Sequence, residues 1–252
     1  MVRVTRYVTA LREGGSLPGL VEADDDGLYV AKFTGAGQGS AALVAEILVG
    51  ELGRRLGLRV PDLVLVELDE EIGRREPDPE IQELLVASAG VNLGVDFLPG
   101  SVGYDGVAWQ PPPREAAVVL WLDAYTGNVD RSWRNPNLLV WHRRLWAIDH
   151  GAALIFQHAW PSPDVWARRR YDLSTHVLRS VAEQLPPDEL TALDAELTAA
   201  VTPELLGELL ALVPDGWLGD DPVARRARYA DYLTRRLAAL DWRSELPVGA
   251  LR

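Results

Sequence analysis

Gly127-Asn128-Val129-Asp130-Arg131-Ser132-Trp133-Arg134-Asn135-Pro136-Asn137-Leu138-Leu139-Val140 is followed closely by Trp146-Ala147-Ile148-Asp149-His150-Gly151. The first stretch leaves an apolar segment (115–126) that reads as a buried helix, and it runs into a short strand at 138–141. An aspartate followed by arginine, with asparagines five and seven residues on, has a chemical logic. The Asp130 carboxylate can orient or deprotonate a hydroxyl, and an asparagine oxygen can ligate magnesium without adding negative charge. In the second stretch Asp149 leaves the end of a strand (145–148) toward a glycine, a placement suited to holding a divalent cation against phosphate oxygens. Asn-Pro and a strand-end Asp are also ordinary turn signals, so neither stretch is decisive alone.

Upstream, the chain reads as β-rich. Val2, Val4, Tyr7 and Val8 suggest an opening strand, and 12–19 is a Gly/Pro turn. Segments 20–23 and 28–33 flank Asp24-Asp25-Asp26-Gly27, a hairpin signal. The second of them, Leu28-Tyr29-Val30-Ala31-Lys32-Phe33, carries the single lysine among 25 basic residues. An otherwise all-arginine usage suggests that a compact ammonium on a thin stem is wanted at Lys32, as for reaching a phosphate. After a loop at 35–39, Ser40 is a candidate N-cap. Leu43, Ile47, Leu48, Leu52 and Leu56 then recur at helical spacing up to Gly57, a C-terminal cap. Within this helix Glu46 shares a face with Ala42, Gly50 and Gly53, and a carboxylate there would hold a strand lysine in one rotamer. Glu51 is its competitor one turn on.

Residues 63–68 read as a strand and 70–83 as an acidic, proline-containing surface loop around a short helix. Residues 93–98 read as a strand broken by Pro99-Gly100. Beyond about 165 the pattern is helical, with Pro186-Pro187-Asp188-Glu189 and Thr202-Pro203-Glu204 as helix starts. Arg168-Arg169-Arg170 reads as a solvated helix face. The fold class expected is α+β and two-lobed: a β-rich N-lobe with one main helix over 1–100, and a mostly helical C-lobe over 101–252.

Composition narrows the function classes. A hydrophobic fraction of 48% and nine tryptophans in 252 residues suit a folded core. The net charge of -12 argues against a general nucleic-acid binder. No apolar run reaches the roughly 18 residues needed to span a bilayer, and the N-terminus, with Arg3 and Arg6, lacks a signal-peptide core. Zero cysteine excludes disulfides and thiolate chemistry, and the four histidines show no paired zinc spacing. A cytoplasmic, non-membrane protein is expected.

Strand Lys, helix Glu, Asp-x4-Asn entering a strand and strand-end Asp-x-Gly occur in the order of a two-lobed phosphotransferase. With these residues the chain resembles the HipA-like kinases, relatives of the protein-kinase and phosphoinositide-kinase fold, from about residue 14 to 154. Val30-Ala31-Lys32 resembles the ATP-anchoring strand, with Glu46 its helix partner. Asn128-Val129-Asp130-Arg131 resembles the catalytic loop, and Ile148-Asp149-His150-Gly151 the metal-binding Asp-Phe-Gly.

The resemblance implies ATP, Mg²⁺ and transfer of the γ-phosphoryl group to a hydroxyl. Lys32 would hold phosphates, Glu46 would orient it, and Asp130 would position the acceptor. Asp149 with Asn135 or Asn137 would bind the metal. Spacing selects Asn135, whereas Asn137 directly precedes the strand. Asp96-Phe97-Leu98 would meet adenine through its backbone. Gly14-Gly15-Ser16 departs from a Gly-x-Gly-x-x-Gly loop, and its phosphate-covering role is an expectation only; Ser16 is a candidate for modification. The acceptor expected is Ser or Thr of an unidentified protein, with a regulatory partner protein conceivable. Alternatives are a small-molecule or lipid kinase of the same fold, a nucleotide-binding pseudokinase, or transfer of the nucleotide.

Overall fold

The computed structural model describes residues 1–11, 17–37 and 39–246. The chain divides into two compact units, Met1–Val44 with Pro61–Pro99, and Ala45–Val60 with Gly100–Arg252. It crosses from one to the other within its first long helix, so Glu46 belongs to the second unit although it lies early in the sequence.

The first unit is a five-stranded closed barrel. Its strands are β1 (Val2–Ala10), β2 (Gly19–Ala23), β3 (Leu28–Lys32), β4 (Leu63–Leu68) and β5 (Gly90–Asp96), in the order β1-β2-β3-β5-β4. The expected hairpin is there: β2 and β3 pair antiparallel with Val21 opposite Tyr29. Strand β3 pairs on its other side with β5, placing Lys32 opposite Leu93. Closure comes from a short parallel pairing of β1 with β4. Alternation along the strands turns Val21, Ala31 and Val66 inward, where they are fully buried. Burying a valine side chain stabilises by about 1.5–3 kcal/mol, so Val21 and Val66 anchor the barrel, and the small Ala31 lets the strands pack closely between them.

Two features depart from the expected pattern. The acidic stretch 70–83 is not a loop around one helix but two helices, α2 (Glu70–Arg74) and α3 (Pro79–Ala87), numbered after α1 (Ser40–Arg55). The aspartates before them are N-caps: Asp69 accepts from the Glu71 amide and Asp78 from the Glu80 amide, with Pro79 opening α3. Ile81 and Leu85 of α3 join the barrel core. Strand β5 also starts earlier than its apolar pattern suggests, because Asn92 is buried within it. Its side chain donates to the Ser88 and Gly90 carbonyls and accepts from Thr34 N at 2.8 Å.

The second unit opens with the later turns of α1. Gly57 ends that helix as expected, at φ 86° and with its amide on the Arg54 carbonyl. A small antiparallel sheet follows, β6 (Val102–Gly103), β7 (Leu138–Trp141) and β8 (Arg144–Ala147). Around them lie α4 (Pro113–Thr126), α5 (Pro163–Ala167), α6 (Arg179–Ala182), α7 (Pro187–Ala200), α8 (Pro203–Ala211) and α9 (Pro222–Ala239).

Helix α4 is buried continuously from Ala116 to Thr126, and α6, α7 and α9 pack against it. The indoles of Trp121 on α4 and Trp242 both donate to Asp194 of α7, so one carboxylate joins three segments. Phe156, Trp160, Trp166, Tyr229 and Tyr232 form an aromatic cluster between the segment after β8, α5 and α9. Arg168-Arg169-Arg170 is not a helix face: α5 ends at Ala167, and the run continues as irregular chain. Among the described residues no helix is long and apolar enough to cross a membrane.

Candidate active site

Helix α4 carries one ionised side chain into an otherwise apolar interior, Asp123, which has no exposed surface. A buried carboxylate must be neutralised and hydrogen-bonded to persist. Asp123 takes Arg131 Nε at 2.7 Å, His176 Nε2 at 3.0 Å and Asn128 Nδ2 at 2.9 Å. Burial by itself pushes the Asp123 carboxyl up. The Arg131 charge and the His176 bond outweigh it and hold the group well below the usual carboxylate range. Burial likewise opposes the charge on Arg131, but Asp123 prevails and the guanidinium stays protonated.

The same bonds shape the loop that follows. Gly127 caps α4 at φ 66°, a conformation that suits glycine, and a Cβ there would run into the Trp166 ring. Asn128 Oδ1 accepts the Asp130 amide, and Tyr171 Oη donates to the Asn128 carbonyl at 2.6 Å. Arg131 reaches past Asp123 to the carbonyls of Asn137 and Ile148 and lies 3.3 Å from His150 Nδ1. One guanidinium therefore ties the start of the loop to its end and to the segment around Asp149.

Within this frame Asp130, Asn135 and Asn137 come together. Asp130 Oδ2 accepts Asn135 Nδ2 at 2.7 Å and Asn137 Nδ2 at 3.2 Å. Asp130 Oδ1 takes no hydrogen bond among the described residues. The two asparagines differ in their backbones. The Asn135 carbonyl accepts from Ser132 N, inside the loop, whereas the Asn137 carbonyl accepts from Ile148 N, one residue before Asp149. Asn137 and Asp149 both have left-handed backbones, φ 49° and 54°. Such conformations in non-glycine residues are uncommon and tend to collect at functional sites.

Glu46 is 2% exposed and sits in the same unit. Its two carboxylate oxygens accept the amides of His150 at 3.0 Å and Gly151 at 2.7 Å. It is thus a buried clamp on the turn behind Asp149, rather than a solvated helix charge. His150 is buried and contributes its amide and Nδ1 to this packing.

Lys32 lies half-buried at the end of β3 in the first unit. Asp96-Phe97-Leu98 closes β5 in that unit, with the Asp96 amide on the Asp62 carbonyl and the Phe97 amide on the Leu28 carbonyl. Burial, and then the neighbouring Asp62, push the Asp96 carboxyl up. Gly14, Gly15 and Ser16 fall outside the described residues.

Sequence reasoning missed Asp123, His176 and the anchoring role of Arg131. A signal for the first existed, since one acid inside Val118-Val119-Leu120-Trp121-Leu122-Asp123-Ala124 breaks an apolar helix. Nothing in the sequence pattern marked His176.

A family model described as HipA-like kinase matches residues 4–241. Among solved structures, the Helicobacter pylori proinflammatory kinase CtkA superposes with a TM-score of 0.59 at 12% identity, covering 93% of this chain and 94% of that one. The Golgi casein kinase with Mn and ADP bound gives 0.57 at 15% identity, over 98% of this chain and 74% of that one. The same kinase in a second structure gives 0.54, also at 15% identity, over 99% and 74%. No curated protein matches the sequence. At these identities the structures establish the two-lobed α+β kinase fold and nothing finer. The family match spans nearly the whole chain, and the protein belongs to the HipA-like kinases, phosphotransferases of the kinase type.

Proposed function

We propose that the protein transfers the γ-phosphoryl group of ATP, with Mg²⁺, to a serine or threonine hydroxyl of another protein. The observation that carries this reading is the convergence of Asp130, Asn135 and Asn137 on one carboxylate oxygen, with Asp130 Oδ1 left to accept a proton. Residues 1–100 would serve nucleotide binding, and 101–252 the catalytic loop and metal.

The residues fit a hard cation. Each asparagine turns its Nδ2 to Asp130 and so keeps its amide oxygen for a metal, and the Asp149 carboxylate adds a charged oxygen. Among the described residues no group of three or more His, Cys, Asp or Glu forms an all-protein metal cage. That suits an ion completed by phosphate oxygens and water. When bound, Mg²⁺ would neutralise charge on the phosphates. We assign Asn137 rather than Asn135 to it, because the Asn137 backbone is bonded beside Asp149.

Lys32 would reach the phosphates, and Glu46 would serve the site by holding the turn behind Asp149. With the Asp96 and Phe97 amides already engaged, a backbone donor for adenine from this stretch would be Leu98. Asp130 would align the acceptor hydroxyl and take its proton, so catalysis is mainly positioning and charge stabilisation. A cytoplasmic location accords with the absence of cysteine.

The test is incubation with γ-labelled ATP and Mg²⁺, with and without cell lysate, comparing Asp130→Ala and Lys32→Arg. Loss of transfer in both variants supports the mechanism, and full transfer by both eliminates it. Thermal stabilisation by ATP without any transfer would make the protein a nucleotide-binding module, and incorporation of α-label would make it a nucleotidyltransferase.

A further inference from the structure

Two cavities lie side by side below the candidate catalytic loop, of about 240 and 450 Å³. Arg169, Arg170, Tyr171 and Arg236 line both, so the two adjoin along that wall and make up one basic recess in two parts. Its upper end is walled by Gly127, Val129 and Ser132, the residues around Asp130. Its lower end is walled by Arg168 and reaches Asp241 and Trp242.

The charge of this recess is opposite to that of the chain. With a net charge of -12, the protein places four arginines against a single acid, Asp241, among the described residues lining the lower cavity. In the upper cavity Arg131 is already matched by Asp123. Asp172 there accepts the Ser174 amide at 2.8 Å, which commits one of its oxygens.

Arg236 is a second, independent observation. It is 4% exposed, and its hydrogen bonds go to the backbone carbonyls of Ala124, Ala167 and Arg169. No carboxylate pairs with it among the described residues, and its Nε is buried without a partner. A buried cation met by carbonyl dipoles and the Trp166 ring, without a carboxylate, leaves positive potential in the recess it lines. Two of those bonds hold the Ala167 and Arg169 carbonyls, so the exposed Arg168 and Arg169 guanidinium groups are presented from a held segment.

On the same loop as Asp130, Val129, which lines the recess, and Trp133 have 63% and 68% of their surfaces exposed. Large apolar side chains turned out from a catalytic loop suit contact with a polypeptide more than with a small polar acceptor.

Resting on the phosphotransferase reading above, we infer that this recess selects the acceptor, and that the acceptor is a polypeptide segment carrying acidic side chains next to its hydroxyl. Arg168 and Arg169 bind the acidic side chains, and Trp133 covers the backbone near the hydroxyl. The net acidity of the remaining chain works against long polyanions, which confines recognition to a short acidic stretch.

The test reads binding without nucleotide, so it stands or falls apart from phosphotransfer. Fluorescein-labelled serine peptides with Glu flanks, Gln flanks or a flanking phosphoserine are titrated with the full chain at low and moderate salt. The Glu and phosphoserine peptides are expected to bind about tenfold more tightly than the Gln peptide, a difference of about 1.4 kcal/mol that shrinks with salt. The double variant Arg168→Glu/Arg169→Glu is expected to lose that difference, while the charge-matched exposed pair Arg75→Glu/Arg143→Glu keeps it. Circular dichroism of each variant separates lost binding from lost folding.

Equal binding of Glu and Gln peptides overturns the proposal. So does displacement by inorganic phosphate at the concentration of competing peptide, which would make this a small-anion site. Tighter binding of a uridine oligonucleotide than of the Glu peptide also overturns it. Phosphotransfer to the Gln peptide without any acidic preference would leave the kinase reading standing and remove this one.

Discussion

Asp123 and Arg131 form an ion pair at 2.7 Å in which both side chains are almost wholly removed from water. Such a pair contributes less to stability than its Coulomb energy suggests, because both groups were stripped of water. Breaking it from one side is another matter. Asp123→Ala leaves a buried guanidinium with no carboxylate partner and should cost about 3–5 kcal/mol. The double variant Asp123→Ala/Arg131→Met should cost less than the sum of the two single changes, since no charge is then stranded. Urea denaturation of the three variants measures this, and simple additivity would mean that the pair is not coupled.

His176 adds a pH dependence to the same cluster. Its Nδ1 accepts the Leu178 amide and its Nε2 faces Asp123, so both nitrogens are satisfied by the neutral ring. Burial pulls its pKa down and Arg131 adds to this, against the opposing pull of Asp123. The unfolded chain therefore takes up a proton near pH 6.5 that the folded chain resists, and stability falls as pH drops below that value. Asp123, whose folded pKa is depressed, contributes stability that is fully present above its unfolded value of about 3.8 and is lost progressively as pH falls below it, outside the window of His176. The urea midpoint should fall between pH 7.5 and 5.5, and fall less in His176→Gln. An equal slope in the variant would assign the effect to another group.

Glu46 gives a sharper local readout. Its two oxygens accept two separate amides, so Glu46→Gln turns one acceptor into a donor facing a donor. Losing one charge-assisted bond costs about 1.5–3 kcal/mol. Amide exchange at His150 and Gly151 should accelerate about tenfold or more, with little change in β7 and β8. Unchanged protection at both amides would show that the carboxylate is not what holds the turn.

Much of the architecture was readable because its causes are local. The β2–β3 hairpin follows from an acidic Gly-containing turn between apolar runs, and α1 follows from leucine spacing closed by Gly57. The acidic stretch after β4 misled because aspartate serves loops and N-caps alike, and only the bonds from Asp69 and Asp78 decide between them. In the candidate site, Asp130, Asn135, Asn137 and Asp149 were singled out by spacing within one short segment. Residues joined across long separations left no such trace. His176 meets Asp123 over 53 positions and Glu46 meets the His150 amide over 104, and periodicity carries no information at that range.

Gly127 tests whether the loop depends on backbone geometry as well as on charge. It occupies the left-handed region at the end of α4, and a side chain there would press on Trp166, which is buried against Phe156 and Arg236. Gly127→Ala combines left-handed strain of about 1 kcal/mol with displacement of a packed indole, an overpacking cost of about 1–3 kcal/mol. The loss should therefore be about 2–4 kcal/mol. The displaced indole lines the same cavity as Asn128 and Val129, so the variant's intrinsic tryptophan emission should shift while the protein is still folded. Val165→Ala, at a site 67% exposed next to the same indole in the chain, should leave stability within about 0.5 kcal/mol. A Gly127→Ala protein with wild-type stability and emission would mean that the α4 cap does not fix the loop.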